Sequence, residues 1–381
     1  MSERVAIIGM AQTRYEPEKK HQHLTELVYE AVRAALDHAG IGVKEIDNVV
    51  SCSQDFLDGR TISNRTIPEV EGAYLKSEAK VASDGAQAVA YGAMRIMSGK
   101  YKTTLVLAHC KMSEGAQNVI ANAMFDPMYQ RHIGLDDVSA AALQARAYLH
   151  KYGLPETAMA VPAVHSLANA AVNPLVHRGM RLGEEDVMAS RMLASPVREL
   201  MAMPVSDGAC ALVLAHESVA GKYTDQPVWI ASFGIGTDAY YLGDRDLAGL
   251  PALSQAAQKA YAMAEISDPS REINLIELTD YFAHQTLMSL EAMGFAEPGR
   301  GIGLFRSGQA DKKGGLPVNP SGGVLGGNPW CVAGMTRVIE CAKQLRGEAG
   351  ACQAGTIKTA LAQGGWGPAG QSQCVIILRG N

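Results

Sequence analysis

The feature that most constrains this chain is a structural phrase stated twice. Val5–Met10 is a short apolar run of the buried-strand type. From Leu24 to Ala39, the residues Leu24, Leu27, Val28, Ala31, Val32, Ala35, Leu36 and Ala39 recur at three- and four-residue spacing, and Gly40 follows as a natural helix terminator. Ile46–Val50 reads as a second strand. The same strand, helix and strand return as Val228–Phe233, Leu253–Ala264 and Ile273–Leu278, an offset of roughly 225 residues. Each half then adds a helix and a strand, Ala86–Gly99 with Thr103–Ala108 and Val332–Gly347 with Thr356–Ala362; Cys374–Leu378 supplies a last strand. A repeated βαβ-type unit confines the fold to an α/β architecture made of two like halves.

Between Cys110 and about Met203 this rhythm breaks into an Ala-, Met- and His-rich stretch. It reads as a helical loop region, about 111–203, inserted into a first half of residues 1–220; residues 221–381 form the second half. Long insertions in α/β proteins commonly line a site or an interface.

Composition narrows the function classes. The 381 residues carry a net charge of −5 with no Lys/Arg cluster, which argues against a nucleic-acid partner. No run of 18 apolar residues is present, so no membrane-spanning helix is expected. Met1 to Ile8 lacks a basic n-region and a signal-type apolar core. The seven cysteines are scattered, with no C-x-x-C pair, which predicts reduced thiols in the cytoplasm and neither a disulfide framework nor a metal site. Gly234-x-Gly236 stands alone and predicts no dinucleotide site.

The loops carry a family likeness. Ser206-Asp207-Gly208-Ala209-Cys210-Ala211 before the apolar Leu212–Ala215 resembles the D-G-A phrase that ends the first half of thiolases. Asn319-Pro320-Ser321-Gly322-Gly323, then Gly327-Asn328-Pro329, resembles their N-x-S-G-G…G-H-P stretch. Lys111-Met112-Ser113 resembles the M-S turn, and Gly364-Gly365-Trp366-Gly367 the C-terminal glycine loop. His165 to Pro174, with Asn169 and Asn173, resembles the H-x-x-N-A-x-x-N-P loop of the sterol-carrier-protein-like thiolases, and Thr279-Asp280-Tyr281-Phe282 stands where that branch has H-D-C-F. The resemblance covers essentially the whole chain. It implies the five-layered αβαβα thiolase fold, with the two central helices buried between two sheets. It also implies acyl-CoA substrates with coenzyme A as part of the substrate and no bound cofactor, a homodimer core, and a small zinc-ribbon/OB-fold partner subunit. His165, Asn169, Asn173, Ser321 and Gly322 become the expected CoA-binding positions.

The same register removes the family's nucleophile. The thiolase C-x-S-G motif places its cysteine seventeen residues before the glycine that ends the helix; counting back from Gly99 reaches Ala82, in Ala82-Ser83-Asp84-Gly85. The G-H-P histidine is Asn328, the second catalytic cysteine falls on Ala362, and the H-D-C-F histidine is Thr279. Acyl-enzyme chemistry that needs a thiolate and an imidazole cannot run in its usual form. What remains is the Asn328 amide and the backbone N–H groups of Gly364 and Gly365 as oxyanion donors, with the Tyr281 phenol, His284 and Asp84 as acid–base candidates. Tyr281 is expected to have its pKa lowered from about 10.

That inventory suits retro-aldol cleavage of a bulky 3-hydroxyacyl-CoA. Some cysteine-free relatives are CoA-ester retro-aldolases with a tyrosine in the D-Y-F place; their second tyrosine, in the G-H-P stretch, is replaced here by Asn328. Two other readings stay open: an atypical thiolase or acyltransferase acting on a 3-oxoacyl-CoA, in which Cys331 near a helix start is the substitute nucleophile, and a non-catalytic subunit of a complex. Plainer roles also stand for single residues. Tyr281 fits a core aromatic, Asn328 a helix cap, His284 and Cys331 buried structural groups, and Asp84 the first turn of a helix.

Overall fold

The structure is a computed structural model in which residues 3–380 are described. The first half contributes strands β1 (Val5–Gln12), β2 (Asn48–Cys52), β3 (Ser77–Val81), β4 (Thr103–Lys111) and β5 (Asp207–His216), with helices α1 (Leu24–Ala39) and α2 (Gly85–Met97). Helices α3 (Asp137–Tyr152) and α4 (Ala160–Ala170) lie in the insertion between β4 and β5. The second half contributes β6 (Val228–Thr237), α5 (Pro251–Ala264), β7 (Leu275–Glu277), α6 (Ala283–Ala292), α7 (Ala333–Arg346), β8 (Thr359–Trp366) and β9 (Ser372–Arg379). Every element of the repeated phrase forms where the spacing places it, within a few residues at the ends. Strand β3 was not expected; its sequence Ser-Glu-Ala-Lys-Val carries too little apolar signal, and it sits at the sheet edge.

The duplication is visible in the ladder. The strand order is β3-β2-β4-β5-β1 followed by β6-β9-β8-β7. Each half therefore runs from its first strand to its last, then its last but one, then its second; β3 has no counterpart in the second half. β1 and β6 pair antiparallel over Val5–Ile7 and Val228–Ile230, so the ladder is continuous where two separate sheets were expected. The central helices still lie between its two halves: α2 and α7 touch each other, and each touches strands from both halves.

Alternation along the strands builds the layers. Val50, Val106, Leu212, Ala362, Cys374 and Ile376 point into the central layer with Ala86, Val89 and Ala93 of α2 and Met335, Val338 and Ile339 of α7. Their neighbours Val49, Leu105 and Val213 face α1 on one outer side. Leu361, Val375 and Ile377 face α5 on the other. Strands buried on both faces read as near-continuous apolar runs, which is why β4 and β5 are buried throughout. Gly234 and Gly236 find their reason here: a Cβ on either would lie 1.9 Å from the Ala256 carbonyl oxygen or 2.2 Å from that of Ala252, so the pair lets α5 sit directly on β6. The result is the five-layered αβαβα thiolase fold.

Candidate active site

Asp84 is the hub of the central layer. One carboxylate oxygen accepts the Ala86 N–H at 2.9 Å at the start of α2, and the other accepts the Gly334 N–H at 2.9 Å in the first turn of α7. One side chain thus caps both central helices. Glycine is required around it: a Cβ on Gly334 would lie 1.8 Å, and one on Gly364 2.1 Å, from its Oδ1. Burial pushes the carboxyl up to about 7 while the backbone amides pull against that shift. Asp84 is therefore committed to structure, and its proposed acid–base role loses its geometric basis. Ala82, two residues earlier, is exposed beyond the end of β3, with no thiol in its place.

Four loops converge nearby on Met203. Its N–H donates to the Tyr281 carbonyl at 2.8 Å, Ala202 bridges to Phe282, and the Asn328 amide reaches the Met203 sulfur at 2.8 Å. The Asn328 N–H donates to Ser206 Oγ at 2.8 Å, and Ser206 in turn meets His177 Nε2 at 2.8 Å. Tyr281 and Asn328 are thus brought to one place by Met203. Asn328 caps no described helix: the turn Trp330–Val332 and then α7 begin after it, and its buried Oδ1 has no partner among the described residues. Such an orphan in a native interior points to a use the free protein does not reveal.

The Tyr281 hydroxyl donates to the Gly365 carbonyl at 2.8 Å. Burial, with the charge of Asp84 next, drives its pKa well above the ordinary tyrosine value. The expected lowering is corrected: the phenol is held protonated and serves as a hydrogen-bond donor. Gly364 and Gly365 lie within β8, paired with Cys374 and Gln373 of β9, instead of in a free loop. Because a strand residue sends its N–H and C=O to the same edge, the Gly365 N–H faces the Tyr281 side.

Other expected positions are spent on the frame. His284 is fully buried, bonds Gln144 Oε1 at 3.1 Å and is held neutral by burial down to about 3. Cys331 is fully buried, donates to the His109 carbonyl at 3.2 Å and has its thiol pKa pushed far up, so it is no activated nucleophile. His165, Asn169 and Asn173 form one stripe along and just beyond α4, one residue per turn, and bond the carbonyls of Val318 (2.9 Å), Asn319 (3.0 Å) and Ser321 (2.9 Å). Ser321 donates to Glu277 Oε2 at 2.7 Å and accepts from Arg337 at 2.7 Å, while Gly322 packs against Ala170. The H-x-x-N-A-x-x-N-P motif therefore acts as a zipper that fixes the 318–322 loop, and its polar groups are occupied within the chain. Asp280 does the same for the next turn, accepting from Val324 N–H at 2.7 Å and Ser166 Oγ at 3.0 Å.

Beside this convergence lies a cavity of about 220 Å³, lined largely by apolar groups that include Met112, Val138, Leu193, Met203, Phe282 and Trp330. Its acidic members are Asp136 and Asp137, neither of which the sequence singles out by any motif. Asp136 is occupied, accepting the Ser139 N–H at 2.8 Å as the cap of α3. The only signal for Asp137 was the doubled acid, one more than a cap requires.

Comparisons with known proteins agree with this geometry. Residues 5–178 match the thiolase N-terminal domain, and residues 234–380 match the thiolase C-terminal domain-like family. An acetyl-CoA acetyltransferase from Methanothermobacter thermautotrophicus is 31% identical over 355 residues, covering 91% of this chain and 92% of its own. A steroid side-chain-cleaving aldolase from Thermomonospora curvata is 28% identical over 384 residues, covering 95% of each. Among solved structures, the Ltp2-ChsH2(DUF35) aldolase superposes with a TM-score of 0.85 at 24% identity, covering 99% of this chain and 97% of that one. Matched in both halves and along nearly its full length, the chain belongs to the thiolase family, as an acyl-CoA enzyme in the branch that holds both acyltransferases and carbon–carbon-cleaving aldolases.

Proposed function

We propose that this enzyme cleaves the Cα–Cβ bond of a 3-hydroxyacyl-CoA by retro-aldol chemistry. The observation that carries this reading is the absence of a usable thiol: the nucleophile position is Ala82, and all seven cysteines are free and buried. Thiolytic cleavage passes through an acyl thioester on an activated thiolate. Retro-aldol cleavage needs no covalent intermediate. It needs a base at the β-hydroxyl and donors where enolate charge develops on the thioester oxygen. In this reading the Asn328 amide turns from Met203 to the thioester oxygen, supported by the Gly365 N–H, and the protonated Tyr281 phenol orients the β-oxygen. The apolar cavity supports a bulky acyl group, aromatic or steroid-like. The named activity of the Thermomonospora relative points the same way.

The assembly belongs to the same proposal. The edge strand β3, paired on one side only, supports a dimer that extends the sheet. Val119, Met128, Tyr129 and Ile133 are 63–73% exposed on the inserted region and support a partner subunit, as does the likeness to an aldolase solved with a DUF35 protein.

The test is product analysis by mass spectrometry on branched or aromatic 3-hydroxyacyl-CoA esters, with and without an OB-fold DUF35-type partner. A ketone or aldehyde with a shortened acyl-CoA, formed without free CoA, supports the proposal. Consumption of free CoA with a 3-oxoacyl-CoA overturns it in favour of the atypical thiolase. Neither activity, alone or with partner, favours the non-catalytic subunit.

A further inference from the structure

A retro-aldol step needs a base, and the groups weighed from the sequence do not supply one. Asp84 is used by two helix starts, His284 is shut in the core beside Gln144, and Tyr281 keeps its proton. Asp137 differs from all three. It opens α3 and lines the same cavity as Met203 and Phe282, the residues that flank Asn328 and Tyr281. Among the described residues, its carboxylate has neither hydrogen bond nor ion pair. The helix start favours an acid there, but the cap itself is already made by Asp136, and the Asp137 carboxylate lies against an apolar cavity with no hydrogen-bond partner among the described residues.

We infer that Asp137 is the general base of the retro-aldol step, a role that rests on the function proposed above. With substrate in the cavity, the Asp137 carboxylate takes the β-hydroxyl proton. The Cα–Cβ electron pair moves to the thioester as its enolate, and the β-carbon becomes the carbonyl of the leaving aldehyde or ketone. The proton then returns to Cα, from Asp137 or from water, giving the shortened acyl-CoA. Atoms and charge balance without a co-reactant.

The electrostatics agree. Burial, with Asp136 beside it, pushes Asp137 up to about 7, close to the pH at which a base must both hold and release a proton. The titratable group beside it in the cavity lining is Asp136; the Asp137 charge also helps to raise the pKa of Tyr281. The cavity lining includes no Lys, Arg or His.

The experiment compares Asp137→Asn, Asp137→Ser and Asp136→Asn with the wild type on a 3-hydroxyacyl-CoA that the wild type cleaves. Asp137→Asn and Asp137→Ser should fold, because they remove an unpaired charge. They should lose about 10²–10⁴-fold in kcat with KM little changed, and the acid limb of the wild-type pH–rate profile should vanish. Asp136→Asn should lower the melting temperature while keeping that limb. If the wild type cleaves but both Asp137 variants keep its kcat and acid limb, the assignment of Asp137 is wrong and the retro-aldol reading stands. If the wild type instead consumes CoA, the underlying reading fails.

Discussion

Tyr281→Phe separates chemistry from structure at the centre of the proposed site. The ring packs between two core clusters and is kept by phenylalanine; only the hydroxyl goes, and with it one 2.8 Å hydrogen bond to the Gly365 carbonyl. A neutral hydrogen bond of this kind contributes about 1 kcal/mol net, so stability should fall by that order. In a chain this long the melting temperature moves by only about 2 °C or less for each kcal/mol. The effect on rate is of another size. Loss of one donor to the oxygen on which charge develops costs roughly 10²–10³-fold, or about 3–4 kcal/mol of barrier. The assay is kcat and KM for carbonyl release at saturating 3-hydroxyacyl-CoA, paired with thermal denaturation on the same preparation. The expected result is a small thermal shift with a large fall in kcat and a nearly constant KM. A variant that keeps wild-type kcat, whatever its thermal shift, would remove Tyr281 from the mechanism and leave it a core aromatic.

Asn328→Ala should lower kcat by about 10²–10³-fold, the usual loss for one oxyanion donor; an unchanged kcat with a changed melting temperature would make Asn328 structural. Gly334→Ala drives a methyl into the Asp84 carboxylate and should cost about 1–3 kcal/mol of overpacking, read as a lower midpoint in urea. An unshifted midpoint would contradict the double-cap geometry. The pH dependence of stability has a defined sign. Burial raises Asp58, Asp84 and Glu277 to about 7 and Glu71 to about 8, so near neutrality the folded chain still holds protons that the unfolded chain has released. Stability then falls as pH rises. Buried His109 and His284, held neutral down to about 4 and 3, act in the opposite direction, but only below the unfolded histidine value near 6.5. The clear window is therefore pH 6.5 to 8.5, and a melting temperature that climbs across it would show that these carboxyls are ionised and satisfied in the folded state.

The scaffold was legible because its signal is redundant. α1 alternates apolar and polar residues at helical spacing over four turns, and β4 and β5 are apolar enough to be buried on both faces. The repeat then supplies each element twice. β3 was missed because an edge strand with Glu78 and Lys80 half-buried needs neither alternation nor an apolar run. Continuity through β1 and β6 was also hidden, since a three-residue pairing between halves leaves no mark on composition. Motif matching found the loops of the site but not the job of each residue in them. Spacing shows that His165, Asn169 and Asn173 share a face; it does not show that the face meets the backbone carbonyls of residues 318–321. Asp84 reads as an acid–base candidate or a first-turn acid until tertiary packing brings Gly334 to its second oxygen. The Tyr281 shift was misjudged in sign because a sequence shows neighbouring charges and not burial, and burial dominates here.

The loss of the nucleophile and the position of Asp84 are one physical event. A thiolase draws on the positive end of a central helix to hold its cysteine as thiolate. In this chain the starts of α2 and α7 meet at the Asp84 carboxylate, which receives an N–H from each. The field that would stabilise a thiolate at position 82 is already balanced by a fixed carboxyl two residues away, with Gly364 closing over it. Nucleophilic chemistry has thus lost both its sulfur and the electrostatic seat that activates it. The groups left for chemistry stand around Met203: the Asn328 amide bonds its sulfur, the Tyr281 carbonyl accepts its N–H, and the Asp137 carboxylate lines the apolar cavity that Met203 and Phe282 also line. A donor, a protonated hydroxyl and an unpaired carboxyl are what enolate-forming cleavage uses. In the proposed reaction the fold keeps its acyl-CoA frame and the chemistry moves from the helix start to that cavity.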